Sequence, residues 1–311
     1  MLLALYGRYI YLPYNARVGS AKDEKMRPQT QKKARQHFGR ISNKVFSRND
    51  LSEILDAHRS GWEALDLSTI SLIKFLVNKE LLKEAVFASA KYSPIVRYVR
   101  GNPSPYAFAL SLRKESFLSH QSALELHGLA PSGTIIYVNQ EQSPKSAPEG
   151  MAQGSINLAF KTAQRRSNYV FDHAGYRYVL VAGKNSGKAG VVAVSTAANE
   201  TGAVTDLERT LIDIVVRPAY AGGLECISRV YRESARKVDV DHMIELLKSL
   251  DYAYPYHQSI GFLLERAGQP EADCCELREM GTVFDFYLDY GLKQPAYDKK
   301  WHLYYPRSLD L

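Results

Sequence analysis

Between Ser47 and Arg100 two helical patterns are followed directly by two β-rich runs, and this block limits the possible folds more than any other stretch. Ser47, with Asp50 three residues on, reads as a capping-box-like start, and Leu51, Ile54 and Leu55 recur at helical spacing up to about His58. Gly61 and Asp66 mark a turn. Ser68 then caps a second helix in which Ile70, Ile73 and Val77 recur, with Leu72, Phe75 and Leu76 widening the apolar stripe. Leu81 to Phe87 and Ile95 to Val99 read as strands around the turn Ser89 to Pro94. Helix, turn, helix and β-hairpin, in that order, predict a winged helix-turn-helix over residues 46–102.

In such a fold the second helix enters the major groove, which alone is wide enough and shows each base pair distinctly. Ser71, Lys74 and Asn78 share the polar side of that helix, and Ser68 and Thr69 stand at its start. These five are the expected DNA-facing residues. Lys91 at the wing tip, with Arg97 and Arg100 on the second strand, completes the expected set. The charge distribution agrees with a polyanion partner. Residues 1–100 hold 18 Lys and Arg against 9 Asp and Glu, leaving 22 against 24 in the remainder of a chain whose net charge is +7. A solvated helix face used for protein contacts is the bland alternative.

Residues 1–45 read as a basic N-terminal extension, including Arg17, Lys22, Lys25, Lys32, Lys33, Arg35 and Arg40, with a helix over Gln29 to Phe38 behind Pro28. Gly101 to Pro105 mark a break, so residues 103–311 form the expected second domain. It starts α, with Ser119 capping a short helix that Gly128 stops. It becomes β-rich over Thr134 to Asn139, Ile156 to Lys161, Tyr169 to Phe171, Tyr176 to Val181 and Val191 to Val194. It then turns α again: a Thr205/Glu208 capping box opens a helix, and Leu224 to Arg236, Asp239 to Leu250 and Gln258 to Gly268 follow. Val283 to Leu288 and Trp301 to Tyr305 are expected closing strands. A long polar loop spans Gln140 to Gly154. Arg229, Arg232 and Arg236, on neighbouring helical turns, read first as a solvated helix face and second as a candidate surface for an acidic partner.

Several chemistries find no support in the spacing. No apolar run is long enough for a membrane helix, and the start lacks the parts of a secretory signal, so a cytoplasmic protein without a membrane partner is expected. Cys226, Cys274 and Cys275 suit neither a disulfide framework nor zinc. Gly183 to Lys188 has three residues between its glycines where a phosphate-binding loop has four, and Ala189 stands in place of Ser or Thr, so a hairpin turn is expected. His120, Glu125 and His127 do not converge as zinc ligands would, and Asp206, Glu208 and Asp213 are better explained by helix capping. No catalytic residue, metal or cofactor is expected.

Four segments carry a resemblance. They are Ser119-His120-Gln121-Ser122-Ala123-Leu124 with His127-Gly128-Leu129; Val204 to Asp213, reading V-T-D-L-E-R-T-L-I-D; Arg217-Pro218 before Gly222-Gly223; and Ile260-Gly261-Phe262-Leu263-Leu264-Glu265. Behind a winged helix, this order resembles the AbiEi-type antitoxins over roughly Phe46 to Pro306. The extension and the 140–154 loop depart from the family. The resemblance implies an α+β chain, an N-terminal winged helix-turn-helix followed by a mixed α/β antitoxin (effector) domain. It implies a protein that represses its own operon on double-stranded operator DNA and neutralises a cognate nucleotidyltransferase-like toxin. A regulator whose second domain binds a ligand or protein, and an enzyme acting on nucleic acid or on the toxin, are the competing expectations.

Overall fold

The computed structural model describes residues 26–42, 44–143, 150–195 and 200–309. The start of the expected extension (residues 1–25) and the middle of the 140–154 loop lie outside them. The chain divides into two compact units, Met1–Ser42 with Arg48–Lys83, and Asn43–Ser47 with Glu84–Leu311. This division differs from the expected boundaries at 45 and 102. Among the described residues no helix is long and apolar enough to cross a membrane.

The first unit is built from helices α1 (Pro28–Gly39), α2 (Arg48–His58) and α3 (Thr69–Asn78). Pro28 opens α1 at a position where a missing N–H costs nothing, and Thr30, Ala34 and Phe38, four residues apart, make its buried face. Of the residues read as an extension, Pro28–Gly39 are therefore an integral helix of this unit. Leu51 and Leu55 of α2 and Leu72, Ile73 and Leu76 of α3 are buried, as the periodicity predicts. Trp62, 5% exposed, sits between the helices, within 5.5 Å of His37 and 4.7 Å of His58 ring to ring.

The second unit begins with β1 (Lys44–Phe46), β2 (Lys83–Phe87, whose first residue belongs to the other unit) and β3 (Ile95–Arg100), in sheet order β1-β3-β2. Helix α4 (Pro105–Ser111), strand β4 (Phe117–Leu118), helix α5 (Gln121–Leu126), strand β5 (Ile135–Glu141) and helix α6 (Gln153–Phe160) follow. Then come β6 (Val170–His173), β7 (Tyr176–Gly183), β8 (Val191–Ser195) and β9 (Thr201–Thr205). A six-stranded mixed sheet runs β6-β7-β5-β4-β9-β8. Ala85, Phe87 and Val99 share one core with Ala109, Leu118, Ile136, Phe171 and Tyr178. The hairpin strands expected in a separate head thus pack into this unit's core, which is why the division falls before them.

Helices α7 (Leu207–Val216), α8 (Leu224–Ser234), α9 (Val240–Leu250), α10 (Tyr256–Arg266) and α11 (Glu271–Glu279) form a second core with a small sheet of β10 (Phe286–Tyr287), β11 (Ala296–Asp298) and β12 (Leu303–Tyr305). Trp301 is 1% exposed, and its indole N–H donates to Glu265 at 2.9 Å. Its ring lies so close to Gly261 that a Cβ there would fall 2.1 Å from it. The I-G-F-L-L-E segment needs its glycine for that contact.

Four local expectations are corrected. Ile156 to Lys161 is helical, not extended, because Ile156 and Phe160 bury one helix face while Leu158 is 73% exposed. Asp206, rather than Thr205, caps α7, accepting from the Arg209 N–H at 2.8 Å; Glu208 instead accepts from the Asp239 N–H at 2.9 Å. Ser119 does not cap α5. His120 stands at that position with φ 53° and bonds the Ser119 hydroxyl through Nδ1 at 2.8 Å. The 183–188 stretch is no hairpin turn, since β7 and β8 lie on opposite halves of the sheet.

Candidate nucleic-acid interface

Ser68 has extended backbone (φ −80°, ψ 152°), and its hydroxyl accepts from the Ser71 N–H at 3.1 Å, so it caps α3 as expected. With 3.6 residues per turn, Ser71, Lys74, Phe75 and Asn78 fall opposite the buried Leu72, Ile73 and Leu76. Asn78 is exposed and Ser71 and Lys74 half-buried. Thr69 faces inward instead: its hydroxyl bonds Ser52 at 3.1 Å, tying α3 to α2. Arg35 of α1 stands 5.8 Å from the centre of the Phe75 ring, which adds a cation beside this face that the spacing in sequence conceals. The α2–α3 connection is fixed by Arg59, whose guanidinium donates to Asp56 at 2.8 Å and to the Leu65 and Leu67 carbonyls at 3.1 and 3.0 Å. The resulting face sets hydroxyls, an amide and cations around the Phe75 ring, and those polar groups are of the kind that pair with base edges and phosphates.

The hairpin of β2 and β3 leans on the six-stranded sheet. Ala88 and Asp172 exchange backbone hydrogen bonds at 3.0 and 2.8 Å. Lys91 is exposed and donates to the Asn168 side-chain oxygen at 3.2 Å, and the Tyr92 ring meets Tyr169 edge-on at 4.5 Å. Arg97, expected among the DNA-facing residues, is engaged within its own unit. Its guanidinium donates to the Ser111 carbonyl at 2.9 and 2.7 Å and to Leu112 at 3.2 Å, closing the C-terminal end of α4, where free carbonyls favour a cation. Arg100 is half-buried, and its Nε has no hydrogen-bond partner among the described residues.

The expected partner-binding arginines do not form one continuous row. Arg229 pairs with Glu233 at 3.1 Å and donates to the Leu129 carbonyl at 3.2 Å. Arg232 is exposed on α8, and Arg236 is exposed in a 3-10 turn, Ala235–Lys237, past the end of that helix.

Three polar clusters elsewhere have structural explanations. Asp206, Glu208 and His242 offer ligand atoms within 4.8 Å of one another. They sit at the N-terminal ends of α7 and α9, where helix dipoles favour carboxylates and oppose a bound cation. His242 Nε2 donates to Asp206 at 3.1 Å, and this bond raises the imidazole's pKa. Glu141 accepts from the Ser186 N–H at 3.1 Å and the Lys188 N–H at 3.2 Å. The loop that resembles a phosphate cradle is therefore filled by the protein's own carboxylate, whose pKa those bonds help to lower. His127 donates from Nε2 to the Thr205 carbonyl at 2.8 Å, pinning α5 to β9. Among the described residues, none of these arrangements points to catalysis.

No protein-family model matches the chain, and no curated protein matches it. Among solved structures, the RV2827C protein from Mycobacterium tuberculosis is similar, with a TM-score of 0.54 at 15% sequence identity, covering 90% of this chain and 92% of that one. At that identity the likeness is one of fold, and it extends over most of both chains.

Proposed function

We propose that this chain is the DNA-binding antitoxin of a bacterial toxin–antitoxin pair, repressing its own operon through a winged helix-turn-helix and neutralising a nucleotidyltransferase-like toxin through its larger unit. The observation that carries the DNA half is the order α1-β1-α2-α3-β2-β3 with its β1-β3-β2 sheet. Three helices with a strand after the first, and a hairpin after the third, follow one another in the order of a winged helix, and in that reading α3 is the base-reading helix. The basic first third of the chain supports the same reading. The antitoxin half is supported by the four AbiEi-like segments.

A mobility-shift assay with the duplex upstream of the gene tests the first half. The wild type prefers that duplex over a shuffled one, and Lys74→Ala with Asn78→Ala lowers the preference by roughly tenfold or more. Equal affinity of the wild type for both duplexes rejects operator recognition. Co-expression with the neighbouring toxin gene tests the second half, and continued growth arrest counts against it.

A cavity of about 310 Å³ lined by Tyr252, Tyr254, Tyr256, His257 and Phe284 favours a second reading, a regulator whose body senses a small ligand. The absence of a toxin gene beside this one selects it.

A further inference from the structure

Lys91, Tyr92, Arg113, Asn168 and Tyr169 come together from three separate stretches of the second unit. The Tyr92 ring stands 4.5 Å from Tyr169, and the Arg113 guanidinium 4.6 Å from the same ring. Arg113 also donates to the Tyr169 hydroxyl. Asn168, adjacent in sequence, accepts from the Lys91 ammonium at 3.2 Å. One cation is thus fixed on the Tyr169 ring and a second on the neighbouring Asn168 side chain. Asn168 uses one of the three ammonium donors, and the fork of Arg113 has five.

We propose that these residues form a composite phosphate-binding surface, in which Arg113 and Tyr169 join the hairpin's Lys91, all within the larger unit, in gripping the backbone of duplex DNA. This rests on the DNA-binding reading above and extends it to a residue outside the winged helix. Three observations favour a polyanion ligand over a structural role alone, and the DNA-binding reading above makes duplex DNA that ligand. Nearby carboxylates are already engaged: Asp172 with Arg177 at 2.9 Å, and Glu115 with Lys188 at 3.5 Å. Lys114, beside Arg113 in sequence, and Arg165 and Arg166, just before Asn168, are exposed, so these stretches carry a positive excess. The two-way backbone bonds between Ala88 and Asp172 also hold the hairpin in place, so the cations are ordered before any ligand arrives. Lysine, arginine, tyrosine and asparagine side chains are the usual donors to phosphate oxygens.

The test is fluorescence anisotropy of the full chain with the upstream duplex and a shuffled duplex of equal length, titrated across a series of salt concentrations. Removing one phosphate contact lowers the slope of log affinity against log salt by about 0.9 and weakens binding roughly three- to tenfold at about 0.15 M salt. Arg113→Ala and Lys91→Ala are each expected to do this on both duplexes alike, whereas Asn78→Ala acts on the upstream duplex alone. Arg113→Lys keeps the charge and restores the slope, which separates lost charge from lost folding. Wild-type slopes in both alanine variants overturn the proposal while leaving operator recognition by α3 intact. A wild type that binds neither duplex overturns both readings. Normal DNA slopes with lost toxin neutralisation would make this a protein-docking surface, and would equally overturn it.

Discussion

Two histidines of this chain respond to pH in opposite senses. His120 is 3% exposed, and burial, opposed by Asp213 and assisted by Arg217 and Arg209, holds its pKa down to about 4. Its unfolded value is near 6.5, so below that pH the unfolded chain binds the proton more readily. Stability is therefore lost as pH falls from about 6.5 to 4, by roughly 3 kcal/mol at the lower end. His242 is raised by its bond to Asp206, so its contribution is full below about 6.5 and fades as pH rises through the folded pKa. Urea midpoints across pH check both: His120→Gln flattens the acid side of the curve, and His242→Gln narrows its gap to the wild type from pH 5.5 to 8.5. Gly261→Ala belongs to the same scale. The added methyl meets the buried Trp301 ring, and overpacking of this kind costs about 1–3 kcal/mol, read as a lowered thermal midpoint.

Among the elements, helices with a clear apolar period are legible in the sequence, as are the edge strands β6 and β8 and the short helix α5, whereas elements with few buried residues or a misleading alternation are not. Helices α2, α3, α9 and α10 carry apolar residues at a helical period, and each formed close to where that period places it. Helix α6 misleads because Ile156, Leu158 and Phe160 alternate as a strand would; only packing reveals that the first and last face the core and the middle one faces water. Strand β9 was missed because Val204 and Thr205 alone are buried in it. At the candidate interface, the polar row of α3 was visible from spacing, but the inward turn of Thr69 was not. The bonds of Arg97 to the end of α4 are hidden from the sequence because a strand position does not say which carbonyls a long side chain will reach. Arg97→Ala is accordingly expected to fray the end of α4 and lower the thermal midpoint, while the salt dependence of DNA binding stays that of the wild type. Arg113 and Tyr169 lie 56 residues apart, and no local pattern joins them.

For the whole molecule, the six-stranded sheet has one narrow seam. Strand β4 is two residues long, and Leu118 pairs with Val138 on one side and Val204 on the other. To one side β5 and β7 pair in parallel over seven residues, and to the other β8 and β9 pair over five. A sheet joined through so few residues need not open as one body. Amide hydrogen exchange is expected to divide it into two cooperative blocks, with the β5–β7 ladder protected longer than the β8–β9 hairpin, whose strand β8 is mostly exposed. A single rate across all six strands would show that the seam transmits cooperativity fully. With two blocks, β8 and β9 can detach and re-form while the strands that support the β2–β3 hairpin keep their register. The molecule then has a region that can rearrange for a partner without disturbing the part we assign to DNA.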